Sequence, residues 1–77
     1  MYTLHLKTKM QFGYVDYVIK DDGRLWQKTT KGYADKKPML FQNVNSAKDW
    51  LKQNMPWEMP IRFHLLSTQG NEKLDLI

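Results

Sequence analysis

The sequence predicts one small α+β domain over residues 1–77, with a mostly antiparallel sheet of about five strands in the order β-β-β-α-β-β and one helix packed on one face. Three observations predict this fold. Near the N-terminus, polar and apolar residues alternate with a period of two, which is typical of half-buried strands. A later stretch has apolar residues at helical spacing, and strand-like segments follow it.

Length and composition favour a folded, non-membrane protein. A chain of 77 residues is near the lower limit for a core without staples, but 42% hydrophobic and 13% aromatic residues exclude a disordered chain. The absence of cysteine excludes disulfides and suits a reducing cytoplasm, where we expect the protein to act. The N-terminus lacks the apolar run of a signal peptide, and no segment is long enough to cross a membrane.

The first strand begins near Tyr2, and its alternation places Leu4 and Leu6 on one face and His5 and Lys7 on the other. We predict strands at residues 2–8, 14–20, 24–31, 61–66 and 74–77, with a further short strand possible at 39–41. The segments 14–20 and 24–31 are rich in β-branched and aromatic residues and flank a turn sequence.

The turns predict how the first strands pair. A three-residue loop that ends at Gly23, in the left-handed conformation, sets Val18 opposite Trp26 and Asp16 opposite Lys28. If the first strand pairs with the second through a two-residue turn at residues 10 and 11, His5 faces Asp16 from the other side. Both pairings place a cation or an imidazole beside the same carboxylate.

The middle of the chain predicts an exposed loop at 32–38, which has no hydrophobic period, followed by a helix. The helix at 44–54 has Asn43 as a plausible N-cap and Pro56 beyond its end, and it buries Trp50 against the sheet. Two prolines in "MPWEMP" predict an extended connection to the last hairpin.

Catalytic chemistry has little support in the sequence. The general bases that titrate near neutrality are His5 and His64, and no phosphate-binding loop, metal-spaced histidine pair or nucleophile elbow is present. If the two hairpins are neighbours, His5, Asp16 and His64 could converge on a metal ion. We favour the simpler arrangement, in which His5 is a solvated neighbour of Asp16 and His64 lies on the wetter face. We therefore predict no enzymatic activity, no cofactor and no metal site.

Basic charge points to a first candidate function, because the formal net charge is +4 and residues 1–37 carry all of the excess. Aromatic rings flanked by ammonium groups can stack on bases and neutralise phosphates. The candidate nucleic-acid-binding residues are Lys7, Lys9, Tyr14, Trp26, Lys28, Lys31, Lys36 and Lys37. In the alternative, Trp26 covers Val18, Lys28 pairs with Asp16, and the other lysines keep the sheet face soluble.

The stretches "DDGRLWQKTTKGY" and "FQNVNSAKDWL" resemble the small DNA-binding modules at the N-termini of phage and transposon tyrosine recombinases. The resemblance covers roughly residues 12–53 and implies DNA binding through the exposed sheet face that carries Trp26 and Lys28. The positions that match that pattern are Gly23, Trp26, Lys28, Lys31, Phe41, Ala47 and Trp50. The chain departs from it by a longer loop at 32–40 and by a second hairpin where the family has a linker.

A protein-binding surface is the rival prediction, because three tryptophans, four tyrosines and five methionines exceed what a small core easily hides. Met55, Trp57 and Met59, set between prolines, would form an exposed apolar ridge. In the alternative, Trp57 closes the core beside Trp50. A homodimer through the last strand, residues 74–77, is a further possibility beside a monomer.

These observations predict a non-enzymatic binding protein of the phage or accessory-genome kind. Nucleic-acid binding through the basic hairpin is the first interpretation, and docking on a host protein is the alternative. Nucleic-acid binding should weaken with salt because it depends on counterion release, whereas docking through apolar anchors should tolerate salt.

Overall fold

The computed structural model describes residues 1–77, with Met10 described by its backbone alone. It confirms the predicted α+β fold. The strands are β1 (Tyr2–Met10), β2 (Gly13–Ile19), β3 (Leu25–Gln27), β4 (Leu40–Phe41), β5 (Phe63–Ser67) and β6 (Lys73–Asp75). One α-helix, α1 (Val44–Asn54), and two 3-10 turns, Tyr33–Asp35 and Pro60–Arg62, complete the described elements.

The sheet is antiparallel and is built around β1. Its order is β3-β2-β1-β5-β6, and the short β4 pairs with β1 at Tyr2 and Thr3. The two hairpins are therefore direct neighbours through β1 and β5, with Leu4 opposite Leu65 and His5 opposite His64. This central position of β1 decides which side chains share the two sheet faces.

The core lies between α1 and one face of the sheet. Leu4 and Leu6 point into it, as the alternation of the first strand predicts, and Ala47 and Leu51 approach from the helix. The buried core residues are Leu4, Leu6, Ile19, Phe41, Ala47, Leu51, Phe63, Leu65 and Leu76. Because α1 covers this face, the opposite face of the sheet, called the outer face below, lies away from the helix.

The helix matches its predicted bounds. The side-chain oxygen of Asn43 accepts a hydrogen bond from the backbone N–H of Ser46 at 2.9 Å, which satisfies one of the free donors of the first turn. The helix ends at Asn54, two residues before Pro56. The predicted N-cap and helix are both confirmed.

The β2–β3 hairpin has the predicted register but a shorter third strand. Ile19 faces Leu25 and Val18 faces Trp26, and Gly23 has a φ of +78° in the three-residue loop. The strand ends at Gln27 because the chain turns back there. The predicted pairing of Lys28 with Asp16 is therefore wrong: the ladder stops at the pair Tyr17–Gln27, and no ion pair joins the two described side chains.

The β1–β2 hairpin differs from its predicted register by two residues. His5 faces Val18 and not Asp16, because the turn lies at residues 11–12 and the strand resumes at Gly13. Gly13 has a φ of +137°, which favours glycine. A shift of two residues leaves every side chain on its original face, so the hydrophobic pattern could not detect it.

The sequence predicted an exposed loop at 32–38, but part of this loop packs against the sheet. The ring of Tyr33 lies over Lys20, with Nζ 3.6 Å from the ring centroid, and this Nζ also donates to the carbonyl of Lys36 at 3.1 Å. These contacts bury Lys20 almost completely. The loop thus covers one end of the outer face, near the β2–β3 turn.

The connection after α1 is compact, although two prolines predicted an extended segment. The N–H of Glu58 donates to the carbonyl of Met55 at 3.0 Å, which closes a turn, and the 3-10 turn Pro60–Arg62 follows. An ion pair of 3.1 Å between Arg62 and Glu58 ties the two turns together. The local hydrogen bonds of these turns outweigh the preference of a residue before proline for extended backbone.

Candidate binding surfaces

The predicted nucleic-acid residues do not form one surface. Lys7, Lys9, Tyr14 and Lys28 collect at the end of the sheet near the β1–β2 turn. Lys9 lies opposite Tyr14 in the ladder, and the ammonium of Lys7 is 4.8 Å from the centroid of the Tyr14 ring. Lys28 borders a shallow groove that Tyr14 also lines.

Trp26 has a structural role. Its indole N–H donates to the carboxylate of Asp22 at 2.9 and 3.2 Å, and its ring lies against Gly32. Val18, directly opposite on the outer face, is buried. Burial opposes ionisation of Asp22, but hydrogen bonds from the Arg24 amide and the Trp26 indole outweigh it and lower the pKa of that carboxyl. The alternative in which Trp26 covers Val18 fits this geometry.

The remaining lysines lie elsewhere. The carbonyls of Lys36 and Lys37 accept hydrogen bonds from Lys20 and Asp21, which places both lysines at the β2–β3 turn. Six residues of strand separate that end from Tyr14, roughly 20 Å at the usual rise per residue. Lys31 is exposed between β3 and the loop at 32–38.

Phe12 lies two residues before Tyr14 in the chain, at the same end of the sheet, and was missed from the sequence. It lies at the tip of the β1–β2 turn with 95% of its surface exposed, and Tyr14 nearby is 62% exposed. An aromatic residue in a two-residue turn is unusual, since such turns favour Gly, Asn and Asp. This departure was the signal in the sequence that could have identified Phe12 as a functional candidate. We call Phe12, Tyr14, Lys7, Lys9 and Lys28 the turn cluster.

The second surface follows α1. Trp57 is 73% exposed, Met59 64% and Ile61 65%, and these three side chains are called the apolar ridge below. The alternative in which Trp57 closes the core beside Trp50 is therefore wrong. Trp50 instead meets Phe41 edge-on, with ring centroids 6.0 Å apart.

Met55 and Ile61 exchange the roles expected from the sequence. Met55 packs against the core and is half-buried, so the prediction that it belongs to the exposed ridge is wrong. Ile61 was assigned to the fifth strand, but β5 begins at Phe63, and the 3-10 turn leaves Ile61 in solvent. Its exposure follows from the turn and has no signature in the local sequence.

A largely apolar groove of about 340 Å³ lies between α1 and the segment that carries the ridge. Lys48 and Lys52, one helical turn apart, border it. Two acidic residues also line it. Glu58 is paired with Arg62, whereas Asp49, Lys48 and Lys52 form no ion pair among the described side chains, so the lysines leave the unpaired charge at the groove net positive. The residues that line the groove are Lys48, Asp49, Leu51, Lys52, Met55, Pro56, Glu58 and Pro60.

The two histidines meet on the outer face, contrary to the expectation that both would be solvated. Their rings stack with centroids 5.4 Å apart and planes 8° apart, and Thr3 Oγ1 lies 2.7 Å from His5 Nε2. Burial, with the charge of His64 next in weight, lowers the pKa of His5 to about 4, and burial also lowers the pKa of His64. Across the described side chains, no group of three or more His, Cys, Asp or Glu residues is placed to hold a metal.

Comparison of the chain with protein-family models, curated proteins and solved structures finds no match. The resemblance to recombinase DNA-binding modules over residues 12–53 therefore stays a prediction. None of the helices in the described part of the chain is long and apolar enough to span a membrane.

Proposed function

We propose that the protein is a non-enzymatic binding module that docks on a partner protein through the apolar ridge and the adjacent groove. The observation that carries this proposal is the exposure of Trp57, Met59 and Ile61 within five residues of chain, beside an apolar groove. Tryptophan and methionine are enriched at protein interfaces. A monomeric protein rarely leaves such large side chains clustered in water without a use for them.

The ridge is also held in shape before any partner arrives. Pro56 precedes the ridge and Pro60 lies within it, so both restrict its backbone, and the Arg62–Glu58 ion pair bridges the part that carries Met59 and Ile61. Met55 anchors its start in the core. A preformed surface loses less conformational entropy on binding, so more of the apolar contact appears as affinity.

The occupant we propose is an amphipathic helix of the partner, with apolar side chains in the groove and carboxylates facing Lys48 and Lys52. The groove runs beside α1, which contributes Lys48, Asp49, Leu51 and Lys52 to its lining, and apolar grooves that contain methionine suit helical ligands. The two lysines supply the charge complementarity. A second copy of this chain fits less well, because each copy carries a net charge of +4 and would repel the other.

Selection from a random peptide library displayed on phage tests this proposal, with the intact protein as bait. Enriched peptides should combine apolar residues at helical spacing with Asp or Glu, and amide shifts in NMR titrations should map to residues 48–61. Trp57→Ala should weaken binding by about tenfold or more, as truncation of a central aromatic anchor does. Leu40→Ala, on β4, removes another exposed side chain and should leave binding unchanged.

Three outcomes would contradict the proposal. Enrichment of no peptide, shifts that map away from residues 48–61, or equal losses in Trp57→Ala and Leu40→Ala would each remove the ridge as a docking surface. Enriched peptides that are basic would overturn the proposed partner chemistry. We also propose that the protein acts in the cytoplasm, which suits a chain without cysteine.

A further inference from the structure

We infer that the turn cluster is a separate site that binds single-stranded nucleic acid. It is independent of the docking surface, because it lies on the β1–β2 turn and the outer face and shares no residue with the ridge or the groove. The site differs from the set predicted from sequence. Phe12 is gained, while Trp26, Lys31, Lys36 and Lys37 belong to other parts of the fold.

The Phe12 ring and one face of the Tyr14 ring supply the stacking surfaces, because the ammonium of Lys7 lies over the other face of Tyr14. Phe12 and Tyr14 are the most exposed aromatic side chains on the sheet and its turns, and they flank Gly13. An exposed ring offers a flat apolar face to an unpaired base, and every base has a matching face. Leaving large apolar rings exposed to water is unfavourable, and stacking on bases would bury them when nucleic acid binds.

Three lysines lie around the Tyr14 ring. Lys9 lies directly across the ladder from Tyr14, Lys7 lies over the same ring, and Lys28 stands on the other side of it across the shallow groove. Phosphates that connect stacked bases would meet a cation on each side of Tyr14. Asp16 is the carboxylate in this region, opposite Lys7, and it directs the phosphate path toward Lys9 and Phe12.

The geometry favours single strands over duplex. Stacking requires bases that are not already paired and stacked in a helix. The cluster contains lysines and no arginine, so it lacks the fork of donors that reads guanine edges in the major groove. Binding affinity should therefore depend little on the nucleotide sequence of the strand.

Fluorescence anisotropy of end-labelled oligonucleotides tests the inference on the full chain. Single-stranded DNA of about twelve nucleotides should bind more tightly than the matching duplex. Three lysine–phosphate contacts predict a slope of about −2 in log affinity against log salt concentration. An absence of binding at low salt, or equal binding of duplex and single strand, would overturn the inference.

Matched variants locate the site. Phe12→Ala and Tyr14→Ala should each weaken binding by about tenfold, the usual effect of losing one stacked base. Lys28→Glu should weaken binding and flatten the salt slope, whereas Lys52→Glu changes the net charge equally on α1 and should have a smaller effect. If Lys28→Glu and Lys52→Glu weaken binding equally, the protein attracts nucleic acid by net charge alone and the site is refuted.

Discussion

The imidazole rings of His5 and His64 stack face to face across the β1–β5 ladder, with centroids 5.4 Å apart. They occupy the middle of the outer face, with Asp16, Lys28, Lys73 and Asp75 close enough to influence their charge. Each ring shields the other from water. A proton on one ring raises the cost of a proton on the other, so the neutral forms are favoured in the fold.

This stacking predicts acid sensitivity. The pKa of His5 falls from 6.5 in the unfolded chain to about 4 in the fold, so the unfolded chain binds more protons between these values. The stability that the neutral His5 ring contributes is therefore fully present above the pKa of the unfolded chain and is lost as the pH falls toward 4. Because the ring is partly exposed, we expect a loss of only about 1 kcal/mol in the free energy of unfolding between about pH 7 and about pH 5.

Urea denaturation at the two pH values measures this loss. The double variant His5→Phe, His64→Phe keeps two stacked rings without titrating groups and should show a smaller loss in this range. An equal loss in the double variant would assign the acid sensitivity to other groups.

Tyr33 stabilises the buried ammonium of Lys20, whose Nζ lies 3.6 Å from the ring centroid. Tyr33→Leu should lower the free energy of unfolding by about 1 to 2 kcal/mol, because the cation loses an aromatic partner in a desolvated site. Tyr33→Phe keeps the ring and should cost less. A double-mutant cycle with Lys20→Met, followed by chemical denaturation, isolates the pair, and a coupling energy of zero would contradict the interaction.

Gly23 is required for its backbone conformation and not for space. A Cβ at this position would have Trp50 as its nearest neighbour, at an ordinary 3.9 Å, while the φ is +78°. Gly23→Ala should therefore cost about 1 to 2 kcal/mol of stability, and Gly23→Asn should cost less because Asn tolerates this region. Denaturation midpoints distinguish the two variants, and equal midpoints would show that the strain lies elsewhere.

The cap at Asn43 sets the start of α1. Asn43→Ala should lower stability by about 1 kcal/mol, because the Ser46 N–H loses its side-chain acceptor. Asn43→Asp keeps an acceptor and should retain stability. Asn45→Ala, at an exposed position two residues later, is the control. Thermal melts followed by circular dichroism measure the loss, and equal losses in Asn43→Ala and Asn45→Ala would contradict the capping role.

The two proposed surfaces should respond to opposite substitutions. Trp57→Ala should reduce peptide binding and leave oligonucleotide binding unchanged, while Tyr14→Ala should do the reverse. Both side chains are largely exposed, so both variants should fold normally. NMR spectra check the fold, and loss of both activities in either folded variant would show that the surfaces are not independent.

Much of the fold was predictable because local rules agree with the tertiary structure. Alternation placed Leu4 and Leu6 in the core, and Gly23 predicted the β2–β3 register. The apolar spacing and Asn43 predicted α1 at its observed bounds. Each of these signals lies within a few residues of the structure that it specifies.

The errors share a physical cause. A slip of two residues in the β1–β2 hairpin preserves every face, so the hydrophobic pattern is equally satisfied by both registers. β3 ends at Gln27 because the chain turns there, with the Thr30 N–H bonded to the Gln27 carbonyl, and the loop at 32–38 then packs its Gly32 against Trp26. Neither feature leaves a signal in the local hydrophobic pattern, because the slip preserves that pattern and the loop has no hydrophobic period.

Local sequence patterns were sufficient to predict the class of fold, the helix and the β2–β3 turn, and the concentration of positive charge in the first half of the chain is read directly from the residues. Which aromatic side chains face water depends on tertiary packing. Trp26 and Trp57 are chemically identical, yet one is held by Asp22 and Gly32 while the other projects from a turn. Exposure is a property of the neighbours that packing brings together, and composition and periodicity carry no information about those neighbours.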